Sequence, residues 1–184
     1  IRFIYIGRLV LSKGIRLYIE AARNVKLLCK NAKFSIIGDT IVGNSAFLPP
    51  NELEDAIRDS VVDYYGSVED VKPYIAASDC AVAPSWYREG VPRVLLEAAS
   101  MGKPLIAADS VGTREPVEEG VNGFLVPPRD REALQNAMIR FINASQDEKK
   151  RMGLESRRIA MTRFSVSFVI DMYLAQLPAI MTDN

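Results

Sequence analysis

Two stretches of the sequence set cations and carboxylates beside glycines in a pattern suited to holding a phosphorylated ligand. The first is Gly7-Arg-Leu-Val-Leu-Ser-Lys-Gly14, between a short apolar run and a long helical pattern. Free N–H groups at a helix start attract anions, and Arg8 and Lys13 add two fixed positive charges there. The second is PSWYREGVPRVLLEAASMG, Pro84 to Gly102, with Glu89 just ahead of a helical pattern and Glu97 eight positions later inside it. At about 1.5 Å of rise per residue, Glu97 lies roughly 10 Å along the axis from the first turn. One carboxylate then stands at the helix mouth beside the amides of Gly90 and Val91, the other beside the second turn. Amide donors at one end and a deeper carboxylate suit an elongated ligand with phosphates flanked by polyols.

Each stretch alone has a plainer reading. Gly7–Gly14 carries neither a Gly-x-Gly-x-x-Gly fingerprint nor a P-loop lysine, and fits a flexible loop with two solvated basic residues. Glu89 and Glu97 fit a surface glutamate and a helix-face glutamate. Against this, Glu97 interrupts the apolar run Val94-Leu-Leu-Glu-Ala-Ala99, where a buried charge needs a partner.

The elements that must position these residues alternate along the chain. Strands are expected at Arg2–Ile6, Phe34–Ile37, Val61–Tyr65, Cys80–Ala83, Pro104–Ala107 and Phe124–Val126. Between them lie helices from about Ser12 to Lys30, over Glu52–Asp59 and Val71–Ala77, and from Gly90 to Gly102 with Pro92 in the first turn. Thr113 is expected to cap a short helix carrying Glu115 near its positive end, and Asn122-Gly123 to make a turn. Thr40–Pro50 reads as a loop. Helices then run from Asp130, over Asp147–Met161 and from about Ser165 to Gln176. Strand–helix alternation repeated six times predicts a doubly wound, Rossmann-like α/β domain: a six-stranded parallel sheet, helices on both faces, and a C-terminal helical extension. Ligands of such sheets bind beyond the carboxyl ends of the strands, where both charged stretches would meet.

Composition excludes several classes. Lys+Arg and Asp+Glu each total 23, so no global field draws the chain to nucleic acid or anionic lipid. The sequence has no His, which removes His triads and His–metal sites. Cys29 and Cys80 lack Cys-x-x-Cys spacing and read as core residues in a reducing compartment. No apolar run reaches the roughly 18 residues of a membrane span, and no signal peptide is present. These features lead us to expect a cytoplasmic location, or one on the cytoplasmic face of the inner membrane.

The order GR-x4-KG, PS…EG-x-P-x4-E-A, G-x-P-x-I-A and EEGVNGFLVPPRDREAL resembles the family 4 (group 1) glycosyltransferases of the GT-B fold, over about Phe3 to Ile142. The resemblance implies that residues 1–184 are the single nucleotide-sugar-binding domain, the C-terminal half of a two-domain enzyme whose acceptor domain precedes Ile1. It assigns Arg8 and Lys13 to the donor diphosphate, Glu97 to the ribose hydroxyls and Glu89 to the donor sugar. Gly90, Val91 and Pro92 would close on sugar and phosphate, and the loop with Ser67 and Val68 would face the base. Gly38-Asp-Thr40 departs from the more usual Gly-Asp-Gly. The WYREGVPRVLLEAA wording resembles a subgroup that builds surface glycans on lipid-diphosphate carriers, implying a UDP-linked N-acetylhexosamine donor and a glycan or lipid-linked acceptor.

The expected chemistry is sugar transfer with retention of anomeric configuration. No Asp-x-Asp occurs, so neither a metal nor another cofactor is expected, and Arg8, Lys13 and helix amides would balance charge on the leaving diphosphate. Glu89 would position rather than attack. The alternatives are a catalytically inactive binding or scaffold module, a related epimerase or phosphorylase, and a receiver domain. The last predicts acidic residues after the first strand, where this chain has Arg8.

Overall fold

The computed structural model describes residues 1–41 and 43–181, with side chains of the last helix described as far as Ala175. Val42, inside the loop expected over Thr40–Pro50, and the side chain of Gln176 lie outside the described residues. Six strands, β1 (Arg2–Ile6), β2 (Lys33–Ile37), β3 (Asp63–Tyr64), β4 (Cys80–Ala83), β5 (Leu105–Ala108) and β6 (Gly123–Val126), form one sheet in the order β3-β2-β1-β4-β5-β6. Every neighbouring pair is parallel. Strand order reverses between β1 and β4, and the crevice beyond the carboxyl ends of these two is the natural ligand site of such a sheet.

Helices α1 (Ile15–Leu28), α2 (Pro50–Arg58) and α5 (Arg131–Asn143) cover one face; α3 (Lys72–Ala77) and α4 (Arg93–Ser100) cover the other. The period-two alternation of strand side chains builds both layers at once. Phe3, Tyr5, Phe34, Ile36, Val82 and Phe124 pack on the first face; Ile4, Ile37, Ala81, Leu105 and Ala107 pack on the second. Phe3 is central, stacked on Phe34 at 5.3 Å between ring centres and edge-on to Phe141 at 5.9 Å. Burying one such ring contributes about 2 kcal/mol.

Long α6 (Gln146–Arg163) opens with a reciprocal capping box between Ser145 and Glu148 and crosses from one layer to the other. Its Met152 joins the first core and its Ala160 the second. α7 (Val166–Met181) then leaves the body with an apolar surface: Val166 is 75% and Tyr173 71% exposed.

Three local expectations fail and a fourth holds in part. The helix expected from Ser12 begins instead as a 3-10 turn over Leu11–Lys13, and α1 starts only after Gly14, whose φ of 79° breaks the path. α4 starts at Arg93 rather than near Gly90, so Pro92 is its cap and not part of its first turn. The expected short helix at Thr113 is a turn instead; the Thr113 side chain is fully buried and its hydroxyl has no hydrogen-bond partner among the described residues. The turn expected at Asn122-Gly123 is present but ends at Asn122. Gly123 begins β6, and buried Asn122 accepts from the Glu118 N–H (2.7 Å) and donates to the Pro116 carbonyl (2.9 Å).

Candidate functional site

The segment after β1 is held as a rigid hook rather than a loose loop. Leu9 N–H donates to the Asp39 carbonyl (2.8 Å), Leu11 N–H to Ala46 (2.8 Å), and Leu48 N–H returns a bond to Leu9 (2.7 Å). Ala46 and Leu48, in the stretch expected to form only a loop, therefore pair with the hook, with an antiparallel bridge between Val10 and Phe47. At its end Gly14 presses on the loop after β4. A Cβ there would lie 2.2 Å from the Pro84 carbonyl oxygen, so only glycine permits the approach. Trp86 N–H donates to the Ser12 carbonyl (3.1 Å), closing the junction of the two charged stretches.

That junction opens into a cleft of about 780 Å³, within the size range of small-molecule sites. Arg8, Lys13, Glu89, Pro92 and Glu97 all line it. Ser67, Val68, Gly90 and Val91 are not among its lining residues; from the β3–α3 connection the wall is made by Glu69 and Val71 instead. The first two residues of α4, Arg93 and Val94, line the cleft, three positions later than the expected Gly90 and Val91, because α4 starts later. Leu95 N–H already bonds the Pro92 carbonyl (3.0 Å), which leaves the two preceding amides as the free donors of that helix start.

The charges are arranged unequally. Arg8 is exposed, whereas the Lys13 ammonium is paired with Glu89 across the cleft and stands 5.6 Å over the Tyr87 ring. Ser85 Oγ, in a buried residue, donates to Glu89 Oε1 (3.4 Å). Glu97 is 36% exposed, with Arg93 Nη2 at 3.5 Å, so its charge is neither buried nor unpartnered. From behind, buried Gly112 supports the Glu89 backbone: a Cβ at Gly112 would lie 2.1 Å from the Glu89 carbonyl oxygen.

Sequence reasoning missed Tyr5, Ser85, Glu69 and Arg93 as lining residues. Ser85 and Arg93 lie inside the Pro84–Gly102 stretch and were within reach of the motif. Tyr5 looks like an ordinary strand residue, yet its hydroxyl donates to the Arg8 carbonyl (3.0 Å). Burial, and secondarily the Glu89 charge, push the Tyr5 phenol far above its usual range, so it stays a proton donor.

A family model described as Glycosyl transferases group 1 matches residues 1–144, a span that includes both charged stretches. The alpha-D-kanosaminyltransferase of Streptomyces kanamyceticus is 30% identical over 168 residues, which are 89% of this chain and 42% of that protein. The amylovoran biosynthesis glycosyltransferase AmsK of Erwinia amylovora is 28% identical over 154 residues, 80% of this chain and 37% of that one. Among solved structures, Anabaena HepE in complex with UDP matches with a TM-score of 0.82 and 28% identity, over 97% of this chain and 48% of that chain. The chain thus spans less than half the length of these relatives. Sheet order, hooked signature loop and the family match agree: the chain belongs to the group 1 glycosyltransferases.

Proposed function

We propose that the chain is the donor-binding half of a retaining, metal-independent glycosyltransferase that moves a sugar from a UDP-sugar to a glycan or lipid-linked acceptor in surface-polysaccharide or glycoconjugate synthesis. One observation carries the reading: Arg8, Lys13, Glu89 and Glu97, from distant parts of the sequence, line a single cleft at the reversal of strand order. The UDP choice draws support from Anabaena HepE, solved with UDP and with UDP-glucose at 28% and 27% identity.

In the transfer, the bond from the anomeric carbon to the diphosphate breaks and negative charge grows on the leaving phosphate. Arg8 engages it through its planar fork, Lys13 as a point charge, and the Arg93 and Val94 amides through the α4 dipole. Removing one preorganised donor of this kind typically costs about 3 kcal/mol of transition-state stabilisation. Glu97 accepts from the ribose hydroxyls, and Glu89 faces the sugar and orients it. The base lies toward the connection that contains Ser67 and Val68, with Glu69 and Val71 as the nearer wall.

The acceptor site belongs, in this reading, to a second domain outside the chain, and the exposed apolar surface of α7 is where that domain packs. The chain alone then binds nucleotide weakly and transfers little sugar. Calorimetric titration with UDP, GDP and ADP, with and without magnesium, tests the proposal. UDP should bind best and magnesium should leave its affinity unchanged. No binding of any nucleotide at millimolar concentration by folded protein would favour the inactive scaffold instead.

A further inference from the structure

Arg129 adopts a left-handed backbone conformation, φ 63°, in the turn between β6 and α5. That region is strained for a large side chain and persists only where surrounding contacts enforce it. The guanidinium of this exposed residue stands 5.2 Å over the centre of the Trp86 ring, in a loop that precedes the cleft residue Glu89. Trp86 in turn donates its peptide N–H to the Ser12 carbonyl (3.1 Å), and the Ser85 hydroxyl reaches the same oxygen at 3.5 Å. Ser12 is joined directly to Lys13, whose ammonium lies in the cleft. A line of contacts therefore runs from the turn after β6, through the Trp86 residue, to the cation proposed for the diphosphate.

We propose that Arg129 is a positioning residue for the phosphate end of the cleft: held over the Trp86 ring, it fixes the Ser12–Lys13 peptide and thereby aims the Lys13 ammonium. This role rests on the donor-binding reading of the cleft. A guanidinium suits it because it is more weakly hydrated than a lysine ammonium and is the more frequent partner of an aromatic face.

Arg129→Gly removes the contact over Trp86 and relieves the backbone strain; Arg129→Lys keeps the charge on a more strongly hydrated group. Both are measured against wild type for UDP and UMP affinity by calorimetry, for thermal midpoint, and for amide hydrogen exchange at Trp86. Arg129→Gly should weaken UDP about fivefold, the scale of an exposed cation–π contact, and UMP less. Its thermal midpoint should not fall, whereas a residue serving only stability would lower it and leave UDP affinity untouched. Arg129→Lys should fall between wild type and Arg129→Gly, and the Trp86 amide should exchange faster in both. Unchanged UDP affinity in Arg129→Gly, or wild-type affinity in Arg129→Lys, overturns the proposal. If wild-type protein binds no UDP, the donor reading itself has failed. The Trp86 amide then decides for Arg129 alone, and unchanged exchange in Arg129→Gly refutes its hold on the Ser12–Lys13 peptide.

Discussion

Lys13 and Glu89, 76 positions apart, form an ion pair across the mouth of the cleft, their side chains only 20% and 22% exposed. A diphosphate that takes Lys13 must first displace this carboxylate. If the cleft takes a donor as proposed, Glu89 competes with the diphosphate for Lys13 and is freed to face the sugar when the diphosphate binds. Glu89→Ala should tighten UDP binding to this chain about fivefold, and Lys13→Ala should weaken it by a similar factor, each near 1 kcal/mol. Calorimetry on both variants decides the matter; weaker binding in Glu89→Ala would rule out competition. In the two-domain transferase proposed above, the same Glu89→Ala should lose transfer, and Glu89→Gln should keep more of it, because a positioning role needs hydrogen bonding rather than charge.

Gly112 should be irreplaceable for a geometric reason. Its φ is 85°, and an added Cβ would lie 2.1 Å from the Glu89 carbonyl oxygen and 2.7 Å from that of Gly90. Gly112→Ala should cost on the order of 2 kcal/mol of stability and displace the Glu89 loop, lowering UDP affinity as well. Gly120→Ala is the control. Its φ of 73° carries similar backbone strain, but the nearest atom is the flexible end of Arg140 at 4.0 Å. Thermal midpoints should fall in both variants and UDP affinity only in the first; equal affinities would sever Gly112 from the site.

Much of this arrangement was legible in the sequence because it depends on local pattern. Alternating apolar residues in the strands and 3.6-residue stripes in the helices report burial directly, and they place both charged stretches at one sheet edge. What escaped is fixed by distant contacts. The turn over Leu11–Lys13 exists because Gly14 must press on Pro84, and nothing within Gly7–Gly14 announces Pro84. The late start of α4 moves the free amides from Gly90 and Val91 to Arg93 and Val94, a shift of the size by which local signals misplace helix ends. Asn122 has the composition of a turn, yet it plugs the gap to α6, reaching Ser156 Oγ at 3.3 Å.

Thr113 offers a test of packing beside the site. Its hydroxyl is buried without a hydrogen-bond partner, a desolvation cost that no contact returns. Thr113→Val replaces that hydroxyl by a methyl of similar size and should stabilise the chain by about 1 kcal/mol. Urea denaturation gives the number through a shift of midpoint at constant slope. A loss of stability would mean that the hydroxyl makes a bond after all.

Alkaline pH should unfold the chain through groups buried in their neutral form. Burial is the main cause of the upward shifts at Tyr5 and Tyr18, from an ordinary value of 10.0, and at Cys80, from 9.0. A group whose folded value is raised keeps its full contribution below its unfolded value. It loses that contribution above it, because only the unfolded chain can then release the proton. Stability should therefore be insensitive to these three groups up to about pH 8, then fall as Cys80 and the tyrosines come into range. Tyr5→Phe should be less stable than wild type near neutrality, since it loses the bond to the Arg8 carbonyl, by about 1 kcal/mol. Above pH 10 its disadvantage should shrink, because phenylalanine has no proton for the unfolded state to release. Thermal midpoints of both proteins between pH 7 and 11 would display the convergence, and parallel curves would mean that the Tyr5 phenol ionises in the folded chain as readily as in water.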